Sequence, residues 1–262
     1  MTSAQEYLEA YDSQLRTDAE TPSAIAVKRL GPLRLVTFAG GRGFVTYQDL
    51  GGAEAATIAS WVEEALAHYR EDVAITRVEW KTRGHDRAPR LHEALVGNGF
   101  VPEEPESIMI GEVALLAVDC PLPDGIELRT VTSEADVRAL SEQQEAIFGG
   151  DFTNEMTDAL LRRLSRDDGM ELWVAEADGV IVSSGRLEPV AGSEFAGIWG
   201  GATLPEWRGR GIYRALTSAR ARSALRLGKR LIHSDSTENS RPILEQAGLV
   251  KVSTTTPYLW CR

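Results

Sequence analysis

The second half of the chain switches between two hydrophobic rhythms. "GIELRTV" (125–131) alternates apolar and polar positions, the two-residue repeat of a strand with one buried face. Thr132 or Ser133 is placed to cap a helix through "EADVRALSEQQEAIF", and Asn154 precedes a second helical run, "EMTDALLRRLS". "MELWVAEADGVIVSSGRLEPV" holds two β-rich runs joined by Asp178-Gly179, the strongest short hairpin signal in the chain. Strand patterns return at "EFAGIWGGATL" (194–204) and "RLIHSDS" (230–236). Between them Ile212, Leu216, Ala219, Ser223 and Leu227 predict one helix face. A hairpin feeding a strand–loop–helix–strand unit predicts an α/β fold of the α+β mixed-sheet kind, with helices on the sheet's faces.

The two halves carry a common plan near their ends. In the first, Leu91 and Leu95 mark a helix that Gly99 stops, and strand material follows from Phe100. In the second, Pro242 suits a first helical turn, Ile243 and Leu244 are apolar, Gly248 is the stop, and strands follow. The shared core Leu-x-x-x-Gly-[Phe/Leu] predicts a duplicated module. Pro121, Pro123, Asp124 and Gly125 are linker chemistry, so domains are expected at 1–120 and 121–262. Gly40-Gly41-Arg42-Gly43 opens the β-rich run "FVTYQDL" and reads as a hairpin or bulge, not a ligand site.

Composition narrows the function classes. A hydrophobic fraction of 43% with 26% charged residues is that of a globular chain, and the net charge of −11 repels nucleic acid and anionic membranes. The polar, acidic start and the lack of a long apolar run predict no signal peptide or membrane span, and a cytoplasmic home. Cys120 and Cys261 have no metal or redox spacing, and the four histidines are scattered, so no metal site is expected.

Against that acidic background, residues 206–230 hold eight of the 28 Lys and Arg residues and one acid. Pro205 ends a strand, and Arg208-Gly209-Arg210-Gly211 leads into a helix. Such a turn leaves the first helical N–H groups pointing one way, with the helix dipole behind them and glycines that admit a ligand's oxygens. This is the pattern of a pyrophosphate cradle. It is neither the Walker loop nor Gly-x-Gly-x-x-Gly, and a tight turn with solubilising arginines has the same spacing.

At these residues the chain resembles the GCN5-related N-acetyltransferase (GNAT) superfamily. That family's signature, [Gln/Arg]-x-x-Gly-x-[Gly/Ala], lies between its fourth strand and third helix, and Arg208, Gly211 and Tyr213 occupy its defined positions. Tyr213 departs from the small residue expected there. The resemblance covers about 125–262 and includes "NSRPILEQAGL". The first half resembles a degenerate copy of the same fold's C-terminal part, without an Arg-Gly-x-Gly turn. The resemblance implies a tandem GNAT fold with a complete C-terminal domain and a degenerate N-terminal one. It further implies an acyl-CoA-dependent N-acetyltransferase that moves acetyl from acetyl-CoA to a primary amine of a small molecule or peptide. Ala202, Thr203 and Leu204 would pair with the pantetheine arm. The N–H groups of Gly209, Arg210, Gly211, Ile212 and Tyr213, with Arg208, would hold the pyrophosphate. Asn239, Ser240 and Arg241 would meet the adenosine or its phosphate.

The position where many members keep a thiolate-protonating tyrosine is Leu244, and Tyr213 or Tyr258 are the substitutes at hand. Candidate bases are Glu194, His233 and Asp235, with Glu188 beside Pro189. His233 and Asp235, two apart on one strand, are expected to share a face. A monomer or homodimer is expected, without nucleic acid or membrane as partner. Two other readings stand beside this one: a non-catalytic acyl-CoA-binding protein, suggested by Leu244, and a nucleic-acid-binding helix through Arg222 and Arg226, opposed by the net charge.

Overall fold

A computed structural model of the chain describes residues 3–149 and 154–262. In chain order the first half contains α1 (Ala4–Gln14), β1 (Ala26–Leu30), β2 (Leu33–Phe38), β3 (Arg42–Thr46), α2 (Ala55–Glu71), β4 (Arg77–Arg83), α3 (Leu91–Gly97), β5 (Val101–Pro102) and β6 (Glu106–Glu112). After it come α4 (Val113–Leu116), β7 (Ile126–Val131), α5 (Glu134–Phe148), α6 (Glu155–Leu164), β8 (Glu171–Ala177), β9 (Val180–Pro189), β10 (Phe195–Thr203), α7 (Ile212–Arg226), β11 (Leu231–Ser236), α8 (Arg241–Gln246) and β12 (Val250–Cys261). The mixed sheet order with helices between strands is the predicted class.

The chain divides into two compact units, and the division is not the one at residue 120. Unit 1 comprises the residues up to Ile108 together with Asp235–Glu238 and Lys251–Arg262, and unit 2 comprises Met109–Ser234 and Asn239–Val250. The expected linker at Pro121–Gly125 therefore lies inside unit 2, and the chain's last strand counts with unit 1. Within unit 1 the strand order is β1-β2-β3-β4-β12, with β5 on β12. Within unit 2 it is β6-β11-β10-β9-β8-β7. Each unit thus takes strand residues from the other half of the sequence, Lys251–Arg262 in unit 1 and Met109–Glu112 of β6 in unit 2. A repeat in sequence reveals which segments are alike, not which copy a strand will pair with.

Period-2 burial explains the unit 1 sheet. Leu33, Leu35, Val45, Val78, Trp80, Tyr258 and Trp260 face α2 and α3, where Ile58, Val62, Leu66 and Leu95 complete an apolar core. The opposite side of β4 carries Glu79, Lys81 and Arg83. In unit 2 one core joins Ala196, Ile198, Ile232, Ala221, Ala224 and Leu244, and another joins Val137, Leu140, Leu160, Leu172 and Val174.

Local signals behave as their chemistry requires. Asp178 and Gly179 turn β8 into β9 at φ +48° and +80°, and Ser133 caps α5 by accepting from the Asp136 N–H. Gly40 and Gly41 turn β2 into β3, the predicted hairpin. The repeated helix stops match bond for bond. Phe100 N donates to the Leu95 carbonyl and Leu249 N to that of Leu244, each at 3.0 Å. The preceding glycines, Gly99 and Gly248, are left-handed at φ +87° and +96°. Gly99→Ala is expected to lower stability by about 1 kcal/mol through backbone strain. The added methyl meets nothing nearer than Trp260 at 3.7 Å. A thermal melt checks this, and an unchanged midpoint is the contrary result.

Candidate functional site

The turn between β10 and α7 follows from three local constraints. β10 stops at Thr203, and Pro205–Trp207 form a single 3-10 turn. Gly209 and Gly211 then adopt φ +74° and +82°. A Cβ at either would meet nothing within 4 Å, so conformation selects glycine and the space before the turn is open. Gly211 is the N-cap of α7 and brings no side chain to close the helix end. No backbone N–H from Gly209 to Arg214 has a hydrogen-bond partner among the described residues. These donors, with the positive end of the helix dipole, fit an anionic diphosphate. Arg208 is held in place, its Nε donating to the Thr203 carbonyl at 3.0 Å. Arg210 lies over the Trp207 ring, 4.7 Å from its centre.

Beside the turn, β10 is irregular. Trp199 pairs with Arg186 and Ala202 with Ser184, so Gly200 and Gly201 together stand opposite Gly185 alone. This is a one-residue bulge. On its other edge β10 pairs in parallel with β11 only from Phe195↔Leu231 to Gly197↔His233. Beyond that pair, Ile198–Thr203 presents an edge with no strand beside it among the described residues. Such an edge fits a ligand with amide groups of its own, although side chains already engage the carbonyls of Trp199, Gly200, Ala202 and Thr203.

Ala202 and Thr203 are buried at the end of this strand and Leu204 is half-buried. Ile212 is buried against Ile126, Ala175 and Val182. The Tyr213 ring lies on Gly201, where a Cβ would come within 2.6 Å of it. Leu216, Ala219 and Ser223 complete the buried face, but Leu227 lies past the end of α7 and is 43% exposed. The helix's positive charge is not one solvated face either. Arg220 is fully buried, and Arg222 donates to the Val118 carbonyl and to Ser218. Ser240 stands at the N-cap of α8 without a side-chain cap bond, after Asn239, and Arg241 pairs with Glu245 at 3.2 Å.

The candidate bases are not gathered. Glu194 stands just before the first residue of β10, paired with Arg230 at 2.7 Å. That is about 30 Å of extended strand from Thr203. Asp235 belongs to unit 1, where Lys81 Nζ lies 2.6 Å from its carboxylate. The Lys81 ammonium is raised in pKa: burial opposes the shift, and the Asp235 charge drives it. The expected shared face of His233 and Asp235 therefore does not make a pair within unit 2. Glu188 is engaged by Arg186 Nε at 2.6 Å. His233 is buried, edge-on to Trp199 at 5.0 Å and to Phe195 at 5.7 Å, and it is the last paired residue where β10 and β11 part. Leu244 is packed in the core, and Tyr258 lies in unit 1 with its hydroxyl 2.9 Å from His92 Nδ1.

Two features escaped the sequence reading. Gln143, Gln144, Ser183, Ser184 and Arg220 are buried around the bulge, and consecutive glycines inside a strand pattern were the available signal. The first half also has a strand–glycine–helix turn of its own, Gln48-Asp49-Leu50-Gly51-Gly52-Ala53, leading to α2, with Gly51 and Gly52 at φ +60° and +72°. Its spacing, Gln-x-x-Gly-x-Ala, is that of the [Gln/Arg]-x-x-Gly-x-[Gly/Ala] signature. This turn already holds a negative charge, because the Asp49 carboxylate accepts from the Gly51 N–H at 2.6 Å. Among the described residues no group of His, Cys, Asp and Glu could hold a metal ion, and no helix is long and apolar enough to cross a membrane.

Comparisons with known proteins agree with this geometry. Residues 137–248, which span both strands and the turn, match the model of the acetyltransferase (GNAT) family. No curated protein matches the chain. Among solved structures, a GCN5-related N-acetyltransferase from Kribbella flavida superposes with a TM-score of 0.68 at 16% identity, over 98% of this chain and 95% of that one. A tandem GNAT protein from the clavulanic acid biosynthesis pathway gives 0.61 at 16% identity, over 99% and 97%. A GCN5-related N-acetyltransferase from Sphaerobacter thermophilus gives 0.63 at 17%, over 99% and 86%. At such identities the likeness speaks for the fold. The segment that carries the turn thus matches the GNAT family model, and the chain along its whole length shares the fold of tandem GNAT proteins.

Proposed function

We propose that unit 2 is an acyl-CoA-dependent N-acetyltransferase that takes acetyl-CoA as donor and a primary amine of a small molecule or peptide as acceptor. The observation that carries this reading is the run of unpartnered N–H groups from Gly209 to Arg214, opening on free space between Arg208 and Arg210. When bound, the cofactor supplies an acyl thioester, which needs little activation. The chain's own work is then orientation, proton removal and stabilisation of the oxygen that gains charge.

The turn holds the diphosphate, with the dipole of α7 behind it. The free edge of β10 from Ile198 to Thr203 pairs with the amide-bearing arm and aligns the thioester along the strand. His233, at the fork of β10 and β11, is the acid–base group of choice, since an imidazole exchanges protons near neutral pH and Glu194 and Asp235 are committed to Arg230 and Lys81. A phenolic acid at position 244 is replaced by a leucine, so the thiolate departs without a proton from that position. Asn239, Ser240 and Arg241, at the start of α8, remain the groups proposed for the adenosine end.

Calorimetric titration with acetyl-CoA, followed by thiol release across a panel of amines, tests the whole reading. No saturation at millimolar acetyl-CoA overturns it, and saturation without turnover favours the non-catalytic acyl-CoA-binding alternative. For His233→Ala the expected result is a fall in kcat of about 10²-fold or more with acetyl-CoA affinity kept within a few-fold. An unchanged kcat removes His233 from the reaction.

A further inference from the structure

The bulge of β10 is gripped from both faces by polar side chains whose burial is expensive. From α5, Gln144 Nε2 donates to the Gly200 carbonyl at 2.7 Å and to Ser184 Oγ at 3.1 Å, and Ser184 Oγ in turn donates to Gln143 Oε1 at 2.5 Å. From α7, the Arg220 guanidinium reaches the Arg186 carbonyl at 3.3 Å and the Trp199 carbonyl at 3.5 Å, with Thr217 Oγ1 at 3.0 Å. The bulge also depends on the absence of three side chains. A Cβ on Gly185 would lie 2.6 Å from Arg220 Nη1, one on Gly201 would lie 2.6 Å from the Tyr213 ring, and one on Gly200 would lie 3.0 Å from Gln144 Nε2. Gly200 is moreover left-handed at φ +58°.

Packing alone does not account for this arrangement. Arg220 is 1% exposed and has no carboxylate partner among the described residues. Burial pushes its pKa down, against the pull of Tyr213 beside it. An uncompensated buried charge is among the more destabilising things a core can hold, and an apolar residue of similar length fills the same volume without that penalty. Its neighbours on the buried face of α7, Ile212, Ala215, Leu216 and Ala219, are all apolar. Three glycines in paired strands each weaken the sheet further, by about 0.5–1 kcal/mol. What they achieve together is a fixed direction for the backbone groups between Trp199 and Ala202. A bulge left to itself is free to re-register. Here Trp199 O and Gly200 O are both taken up by side chains, which fixes the backbone of the bulge beside the edge that β11 leaves open.

We propose that Arg220 and Gln144 are positioning residues that set the aim of the β10 bulge toward the amide-bearing arm of the acyl carrier, and hence the placement of its thioester. This rests on the acyl-CoA reading of unit 2. It separates two parts of one ligand, a diphosphate held by the turn and an arm held by the bulge. ADP carries the first without the second.

The experiment compares the KM and kcat for acetyl-CoA with the inhibition constant of ADP in the wild type, Arg220→Met and Gln144→Met. Expected in each folded variant are a rise of tenfold or more in the KM for acetyl-CoA and a fall in kcat, with the ADP constant within twofold of wild type. A variant that merely loosens the fold moves both ligands together, and that result, or no change in either, overturns the proposal. If Arg220→Met does not fold, Gln144→Met decides by the same comparison, since it removes one amide from the opposite face and buries no new charge. Lack of any ADP or acetyl-CoA binding by the wild type counts against the acyl-CoA reading itself, not against the clamp alone.

Discussion

Gly211→Asp is expected to weaken acetyl-CoA binding by at least about 10²-fold while leaving the fold intact, and Gly211→Asn to spare most of the binding. Position 211 is left-handed at φ +82°, and a Cβ there meets no atom within 4 Å. Asn and Asp tolerate this conformation better than other side chains with a Cβ, so both variants carry a similar, small backbone penalty. They differ in charge. A carboxylate at the N-cap of α7 caps the N–H groups that the diphosphate needs, and it sits within about 5 Å of two anionic phosphates. At an effective dielectric of about 20 each such pair opposes binding by about 3 kcal/mol before screening, and even half of that over two pairs amounts to roughly a hundredfold. Calorimetry on the three proteins, with melting curves to verify folding, reads the difference. Equal affinity in the Asp and Asn variants means that the anion is held elsewhere.

The elements of the fold were legible wherever a residue type has one conformational job. Asp178-Gly179, Ser133, Gly99 and Gly248 each act through bonds within five residues of themselves, and their outcomes follow from sequence. The β10–α7 turn belongs to the same class, because a proline, two glycines and a helix face specify it locally. What was not legible depends on partners remote in the chain. Strand alternation identifies β12 as a strand but does not say that Lys251–Arg262 packs with unit 1. Spacing puts His233 and Asp235 on one strand face but cannot foresee Lys81, 154 residues earlier, beside the Asp235 carboxylate. A count of arginines in 206–230 treats Arg220 and Arg222 alike, although one lies under a bulge and the other at the surface. Leu227 followed the helical period one step past the point where α7 ends. The turn at Gln48–Ala53 was readable from its glycines and was hidden by the expectation that the first half lacks one.

The largest stability effect is expected outside the proposed acyl-CoA site, at Glu20 in unit 1. Glu20 lies on the short turn Asp18–Glu20, and its two oxygens take Arg34 Nη2 at 2.8 Å, the Thr46 hydroxyl at 2.7 Å and the Arg83 guanidinium. Arg34 and Arg83 are 2% and 0% exposed, so neither has water to turn to. Arg34 also touches Asp18, but that carboxylate is 81% exposed and 3.4 Å away, so solvent screens most of its attraction. Glu20→Gln keeps the shape and removes the charge, leaving two buried cations short of their anion. Breaking a buried pair in this way is expected to cost about 3–5 kcal/mol. The melting midpoint should fall by roughly 10 °C. The pH dependence separates this account from lost packing. Burial works to raise the Glu20 pKa, but Arg83, Lys81, Thr46 and Arg34 outweigh it, and the carboxyl is held below its ordinary value. A group depressed on folding contributes stability that is present above its unfolded pKa, near 4.3, and lost as pH falls through the folded value. The wild type should therefore lose stability steeply below about pH 4, and its advantage over Glu20→Gln should shrink across that same range. A gap between the two proteins that stays constant from pH 7 to pH 3 would show that shape, not charge, is what Glu20 contributes.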